Sequence, residues 1–251
     1  MSKIRLGINI DHVATVRNAR GEDYPSPLRA ALISEKHGAD SVTIHLREDR
    51  RHIKDSDLKI ITSKLKIPLN LEIALTNEMI SIATRHKPSF VCFVPEKRKE
   101  ITTEGGLNLN YKKNFLEKSI LKLKNNGSRV SLFIEPSKKT ILKAKKLGVD
   151  CVEIHTGKIC NLINKKLSYK NELFKIKKAI DFAQSLKLDV HAGHGLTFES
   201  AKVLKRVKGI NEFNIGHFII GESIFISLEK VIKKFKKIIK WWIFMVLVLI
   251  L

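Results

Sequence analysis

Eight short apolar runs, each followed by a segment of helical periodicity, set the tightest limit on what this 251-residue chain can become. The runs are IRLGINID (4–11), SVTIHL (41–46), PLNLEI (68–73), FVCFVP (90–95), RVSLFIE (129–135), CVEIHTG (151–157), DVHAGHG (189–195) and EFNIGHFII (212–220). Between them, PLRAALISEKHG carries proline in its first turn and closes at Gly38. SKKTILKAKKLG offers Ser137 as an N-cap and stops at Gly148, while TNEMISIATRHKP opens at Thr76 and ends before Pro88. Eight strand-then-helix units in about 250 residues match the count and length of a TIM barrel. An open doubly wound sheet would more typically show a glycine-rich dinucleotide loop after its first strand, and GINIDHVATVRNARG has none. The expectation is a single-domain α/β fold, a (β/α)8 barrel over residues 1–240, with residues 241–251 as an apolar extension.

Parallel strands covered on both faces should read as nearly continuous Val, Ile and Leu. Several of these do not. Side chains alternate with period two, so Gly7, Asn9 and Asp11 share one face of strand 1, and Thr43, His45 and Arg47 one face of strand 2. Asn70 and Glu72 do the same in strand 3, and Glu153 and His155 in strand 6. The apolar faces belong against the helices, which turns the polar faces into the barrel. Burying an unpaired carboxylate or imidazole is costly, so such groups gathered near C-terminal strand ends point to a site. The alternative is a satisfied ion-pair network, such as Glu72 with His45.

Strands 7 and 8 carry a second signal. HAGHGLTFES runs through Gly193, His194 and Gly195 to a helix start at Thr197, and FNIGHFIIGES puts Gly216 and His217 in strand 8, with Gly221 just before the last helix. Loops after strands 7 and 8 are the usual phosphate cradle of a barrel, where glycine N–H groups and a helix N-terminus meet an anion. Arg20, Arg47 and His52 offer a second cationic patch. The loop PEKRKEITTEGGL (95–107) is long, charged and glycine-ended, as a lid over substrate would be.

Net charge of +22 invites a nucleic-acid reading. However, 36 of the 47 basic residues are lysines spread over several amphipathic segments, whereas seven of eleven arginines fall within the first 51 residues. Scattered lysine is a solvated surface, so no specific nucleic-acid partner is expected. Cys92, Cys151 and Cys160 show no metal spacing, and the first nine residues are too polar for a signal peptide, so a cytoplasmic protein is expected. The eleven apolar residues WWIFMVLVLIL would span about 16 Å as a helix, well short of a ~30 Å hydrocarbon core. Packing against protein is the first reading of that tail, and membrane-surface contact the second.

Taken together, GINIDHVATVRNARG, HLREDRRHI, NLEIA, VPEKRKEITTEGGL, EIHTG, AGHGL and NIGHFIIG resemble the pyridoxine 5'-phosphate synthase family over residues 4–235. The resemblance implies a barrel enzyme of vitamin B6 synthesis that condenses 3-amino-2-oxopropyl phosphate with 1-deoxy-D-xylulose 5-phosphate and releases phosphate and water. It implies His45 as an acid/base residue, Glu72 as proton acceptor, His194 as proton donor and Glu153 as a stabiliser of a charged intermediate. Asn9, Arg20, Gly195, Gly216 and His217 would hold the aminoketone phosphate. Asp11, His12, Arg47, His52 and Thr102 would hold the deoxyxylulose phosphate. No metal, no cofactor and no lysine Schiff base is implied, and the assembly would be a homo-oligomer, commonly an octamer. A barrel isomerase or aldolase acting on a lone sugar phosphate is the competing reading.

Overall fold

The computed structural model describes residues 3–96 and 105–240, so Thr102, most of the 95–107 loop and the 241–251 extension lie outside the described residues. Eight parallel strands close into a barrel in sequence order. They are β1 (Arg5–Asn9), β2 (Ser41–His45), β3 (Leu69–Ile73), β4 (Phe90–Phe93), β5 (Arg129–Ile134), β6 (Cys151–His155), β7 (Asp189–Gly193) and β8 (Glu212–Ile215), with β8 pairing back onto β1. The TIM barrel expected from the alternation is what forms.

Single helices follow five of the strands: α3 (Asp55–Lys64), α4 (Asn77–His86), α5 (Lys113–Asn125), α6 (Lys138–Lys146) and α9 (Phe198–Leu204). The other three strands are each followed by a pair: α1 (Asp11–Arg20) with α2 (Pro27–Lys36), α7 (Gly157–Asn164) with α8 (Lys170–Ser185), and α10 (His217–Ile226) with α11 (Leu228–Lys240). The caps follow local chemistry. Ser26, Thr76 and Ser137 each accept a backbone N–H from the first turn of α2, α4 and α6, satisfying a donor that would otherwise have no partner.

Two boundaries differ from the sequence expectation. Asp11 does not continue β1 but begins α1, and β8 is only four residues long, because Gly216 is the N-cap of α10 and His217 its first residue. Gly221 accordingly lies inside α10. A continuous apolar run such as NIGHFII cannot be divided between strand and helix by periodicity alone. Both corrections matter, since they put Asp11 and His217 at helix starts on the C-terminal rim.

The alternation sorts the core as anticipated. Leu6, Ile8, Val42, Ile44, Leu71, Val91, Leu132, Val152, Ile154 and Val190 join one continuous core with the surrounding helices, while Cys92, Val94 and Phe133 form a small separate cluster. Polar side chains fill much of the remaining bore. Near the N-terminal end, Arg5 Nε pairs with Glu212 at 2.6 Å, and Ser41 Oγ donates to the other Glu212 oxygen at 2.8 Å. One layer up, the absence of a side chain at Gly7 makes room for Asn214, whose Oδ1 would sit only 2.1 Å from a Cβ there. The three cysteines are free and buried, and no described helix is long and apolar enough to cross a membrane.

Candidate active site

The C-terminal rim is built from the strand ends upward. Asn9, the last residue of β1, donates through Nδ2 to Asp11 Oδ2 at 2.8 Å and accepts the Asp11 N–H at 2.9 Å. Asp11 Oδ1 in turn accepts the His45 backbone N–H at 2.8 Å, tying the start of α1 to the end of β2. Register pairs His45 with Glu72 across β2 and β3. The imidazole nevertheless finds a different carboxylate: His45 Nε2 lies 3.3 Å from Glu96 Oε2. Arg47 Nη2 lies 3.7 Å from the other oxygen of Glu96, and Arg47 Nε donates to Asp49.

Among the described residues Glu72 has no cation paired with it, and its environment is hostile to charge. Burial first, then the charges of Glu153 and Asp11, push its carboxyl well above the usual range. Glu153, lower in the bore, accepts Asn214 Nδ2 at 2.6 Å. Burial raises it to about 7, against the opposing pull of that hydrogen bond. The two carboxyls sense one another, so titratable groups from β1–α1, β3 and β6 form one electrostatic cluster.

The stability consequence has a definite sign. Glu153 has a folded value above that of an unfolded glutamate, so its contribution is greatest at low pH and is lost as pH rises through about 7. The expected size is roughly 1–3 kcal/mol between pH 5 and pH 8. Urea unfolding of Glu153→Gln should flatten that slope and leave the variant ahead of wild type at pH 8. Parallel stability curves for the two proteins would refute the assignment.

A second group of residues meets between β1 and β8. The His12 and His217 rings stack edge to face with centroids 4.9 Å apart. A Cβ on Gly216 would lie 3.1 Å from Asn9 side-chain atoms, so strand end and loop are in close approach. The start of α10 has no side-chain cap, leaving its first N–H groups directed into this corner. Burial, then His217, lowers the His12 imidazole, and burial likewise lowers His52. His52 packs edge to face with His45, centroids 5.8 Å apart, and its Nδ1 accepts the Ile53 N–H at 2.9 Å.

His194 and Gly195 form the loop after β7, both in the left-handed region at φ +74° and +79°. That backbone is ordinary for glycine but strained for histidine, and such strain clusters at functional sites. Burial, assisted by the neighbouring His155, lowers His194 to about 4.

Arg20 lies on α1. It is exposed in the last turn of α1, and ten helical residues rise about 15 Å from Asp11. The buried arginine of that helix is Arg17, which clasps Asp57 through both oxygens. Sequence reasoning also passed over Glu96 and Glu135. Glu96 was visible as an acid beside a strand end in FVCFVPE, but a single glutamate in a charged loop carries no positional signal.

Asp11, His45 and His52 present potential ligand atoms within 4.8 Å of one another, the one such group among the described residues. Asp11 accepts two hydrogen bonds and His52 Nδ1 one, while the buried His45 Nε2 has no hydrogen-bond partner among the described residues and lies 3.3 Å from Glu96 Oε2.

Comparison with known proteins gives a consistent answer. The family model for "Pyridoxal phosphate biosynthesis protein PdxJ" matches residues 6–241. The pyridoxine 5'-phosphate synthase of Pelagibacter ubique (strain HTCC1062) is 58% identical over 235 residues, covering 93% of this chain and 98% of the relative. That of Zymomonas mobilis is 51% identical over 234 residues, covering 93% and 91%. Among solved structures, N-(5'-phosphoribosyl)anthranilate isomerase from Pyrococcus furiosus superposes with a TM-score of 0.63 at 16% identity, covering 94% of this chain and 98% of that one. Tryptophan synthase from M. tuberculosis gives 0.66 at 8% identity, covering 95% and 94%. At those identities the likeness is one of fold.

Proposed function

The chain belongs to the family of the pyridoxal phosphate biosynthesis protein PdxJ, the pyridoxine 5'-phosphate synthases, and on that premise we propose that it joins 3-amino-2-oxopropyl phosphate to 1-deoxy-D-xylulose 5-phosphate by acid/base catalysis. Inorganic phosphate and water leave as the pyridine ring closes. The substrate brings its own amine, so no catalytic lysine has to be desolvated. What the chain must supply is proton transfer and grips for phosphoryl groups.

The observation that carries this reading is the gathering of acid/base side chains at one barrel end: Asp11 holds the His45 backbone N–H, His45 stands in register with Glu72, and Glu153 lies below them on Asn214. Burial and acidic neighbours raise the proton affinity of the Glu72 carboxyl, and an ammonium-bearing substrate beside it favours the carboxylate, the form that accepts a proton. Glu72 therefore acts as the proton acceptor, and Glu153 below it offsets the positive charge of an iminium intermediate. His45, steered by Glu96, exchanges protons with the sugar hydroxyls. His194 is neutral at rest; a phosphate dianion beside it raises its proton affinity and makes it the donor to a leaving oxygen.

Asn9, Gly195, Gly216 and His217 hold the aminoketone phosphate, an assignment supported by the uncapped start of α10 beside Asn9. Arg20 belongs to the same set by family likeness. Asp11, His12, Arg47 and His52 hold the deoxyxylulose phosphate, together with Thr102. The protein is a transferase-type synthase of the cytoplasm, supported by three buried free thiols. It assembles as a homo-oligomer, for which the exposed Ile224 (75%) and Phe225 (80%) on α10 provide an apolar surface.

The test is incubation of the full chain with both substrates, following product by mass. Pyridoxine 5'-phosphate formed only when both are present is the expected result. Failure of a folded, oligomeric protein to produce it, or turnover of the sugar phosphate alone, overturns the proposal. Reaction is independent of metal, so turnover should survive exhaustive chelation unchanged. A loss on chelation that a divalent cation restores would show that Asp11, His45 and His52 hold an ion after all.

A further inference from the structure

Two titratable side chains on the wall of the site, Glu135 and His155, have no role in that scheme yet lie beside His194, which does. Glu135 follows β5, His155 ends β6 and His194 follows β7. Glu135 Oε1 lies 2.7 Å from His155 Nδ1 and also accepts the Gly106 N–H at 3.1 Å. The His155 and His194 rings meet edge to face with centroids 5.0 Å apart. Phe133 packs on both, at 5.2 and 6.5 Å. Gly157 permits this approach, since a Cβ there would lie 2.7 Å from His155 Nε2 and 2.8 Å from His194 Cδ2. The pair borders a cleft of about 560 Å3 between the β6 and β7 loops.

Building on the synthase reading, we propose that His155, oriented by Glu135, is the positioning residue that returns a proton to His194 in each cycle. A carboxylate can only accept, so Glu135 fixes the proton of His155 on Nδ1 and leaves Nε2 as the exchanging atom, on the side of Gly157 and His194. The bookkeeping is simple. His194 gives its added proton to the leaving oxygen and becomes neutral. The Nε2 proton of a charged His155 then passes to His194 through solvent in the cleft that both rings line, and His155 regains one from hydronium or a buffer acid, whose conjugate base leaves by the same cleft while Glu72 returns its proton to solvent. Nδ1–H stays on Glu135 throughout, and nothing is oxidised or reduced.

The surroundings favour this route over any other. From β6, Glu153 reaches under Gly193, where a Cβ would lie 2.0 Å from its Oε1, but its second oxygen is held by Asn214. From α7, Lys158 turns to Glu172 at 2.9 Å, and Cys160 packs beneath Gly195. Among the described residues His155 is thus the protonatable group both adjacent to His194 and beside the open cleft. The same contact explains part of why His194 sits near 4: two imidazoles at this distance resist carrying two charges.

The test uses the full-length enzyme with labelled histidine. In His155→Gln, the His194 titration followed by NMR should move up from about 4 by ~1 unit towards the ordinary histidine value. kcat should fall about tenfold or more, with KM for both substrates and the unfolding midpoint little changed. Glu135→Gln should lose kcat similarly, and Glu135→Asp should recover most of it. An unmoved His194 titration, or a loss confined to KM, would overturn the proposal. A His194 titration moved by His155→Gln, when the wild-type protein makes no pyridoxine 5'-phosphate, would instead uphold the His155–His194 coupling and sink the synthase reading.

Discussion

Glu72→Gln should lower kcat by ~10²–10⁴-fold while leaving the barrel intact. Glutamine has the shape of a protonated glutamic acid, and burial and its acidic neighbours already bias Glu72 towards that form. Packing and hydrogen-bonding shape are therefore preserved, and what disappears is the capacity to take up a proton. No neighbour can deputise. His45 is held against Glu96, Glu153 is bound by Asn214 deeper in the bore, and Asp11 is committed to Asn9 and to the His45 backbone. KM should change little, because the phosphate grips lie on other elements. Above neutral pH the variant should even be the more stable protein, since it cannot acquire a buried negative charge. Steady-state kinetics with urea unfolding at pH 8 checks both halves. Turnover within about tenfold of wild type would mean that the proton acceptor lies elsewhere.

The reach of the sequence in this molecule follows from which features repeat and which do not. Period-two alternation is imposed along every strand of a closed sheet, so the inward direction of Asn9, Thr43, His45, Asn70, Glu72 and Glu153 was legible from spacing alone. The cap chemistry of Ser137 and Thr76 was equally local. Partner choice was not local. His45 stands in register with Glu72 yet pairs with Glu96, which arrives from beyond β4 by a path that no periodicity encodes. NIGHFII reads as one strand because hydrophobicity is continuous across it, and only the turn at Gly216 converts His217 from a strand residue into the head of α10. Arg17 and Arg20 look equivalent in DHVATVRNAR; packing against α3 buries one guanidinium and leaves the other in solvent.

That buried guanidinium carries the largest stability effect expected here. Arg17 Nη1 donates to Asp57 Oδ1 at 2.6 Å and Nη2 to Oδ2 at 2.8 Å, with side-chain exposures of 7% and 10%. Nη2 also donates to the His52 carbonyl at 3.1 Å, and Asp57 Oδ2 accepts the Lys54 N–H at the start of α3. One side chain therefore ties α1 to α3 and to the segment that carries His52. Arg17→Met keeps the aliphatic bulk but strands a buried carboxylate, which should cost ~3–5 kcal/mol. Removing the charge as well, in Arg17→Met/Asp57→Asn, should restore more than half of that, because the loss comes from the uncompensated ion and not from missing contacts. A surface ion pair would behave oppositely, with a cost below about 1 kcal/mol, strong salt dependence and no recovery in the double variant. Catalysis gives an independent reading. With one of the two donors to the His52 carbonyl gone and only Asn18 Nδ2 left on it at 2.8 Å, KM for deoxyxylulose phosphate should rise in both variants, including the one whose stability has returned. If KM recovers together with stability, Arg17 supports the barrel alone and His52 is held by something else.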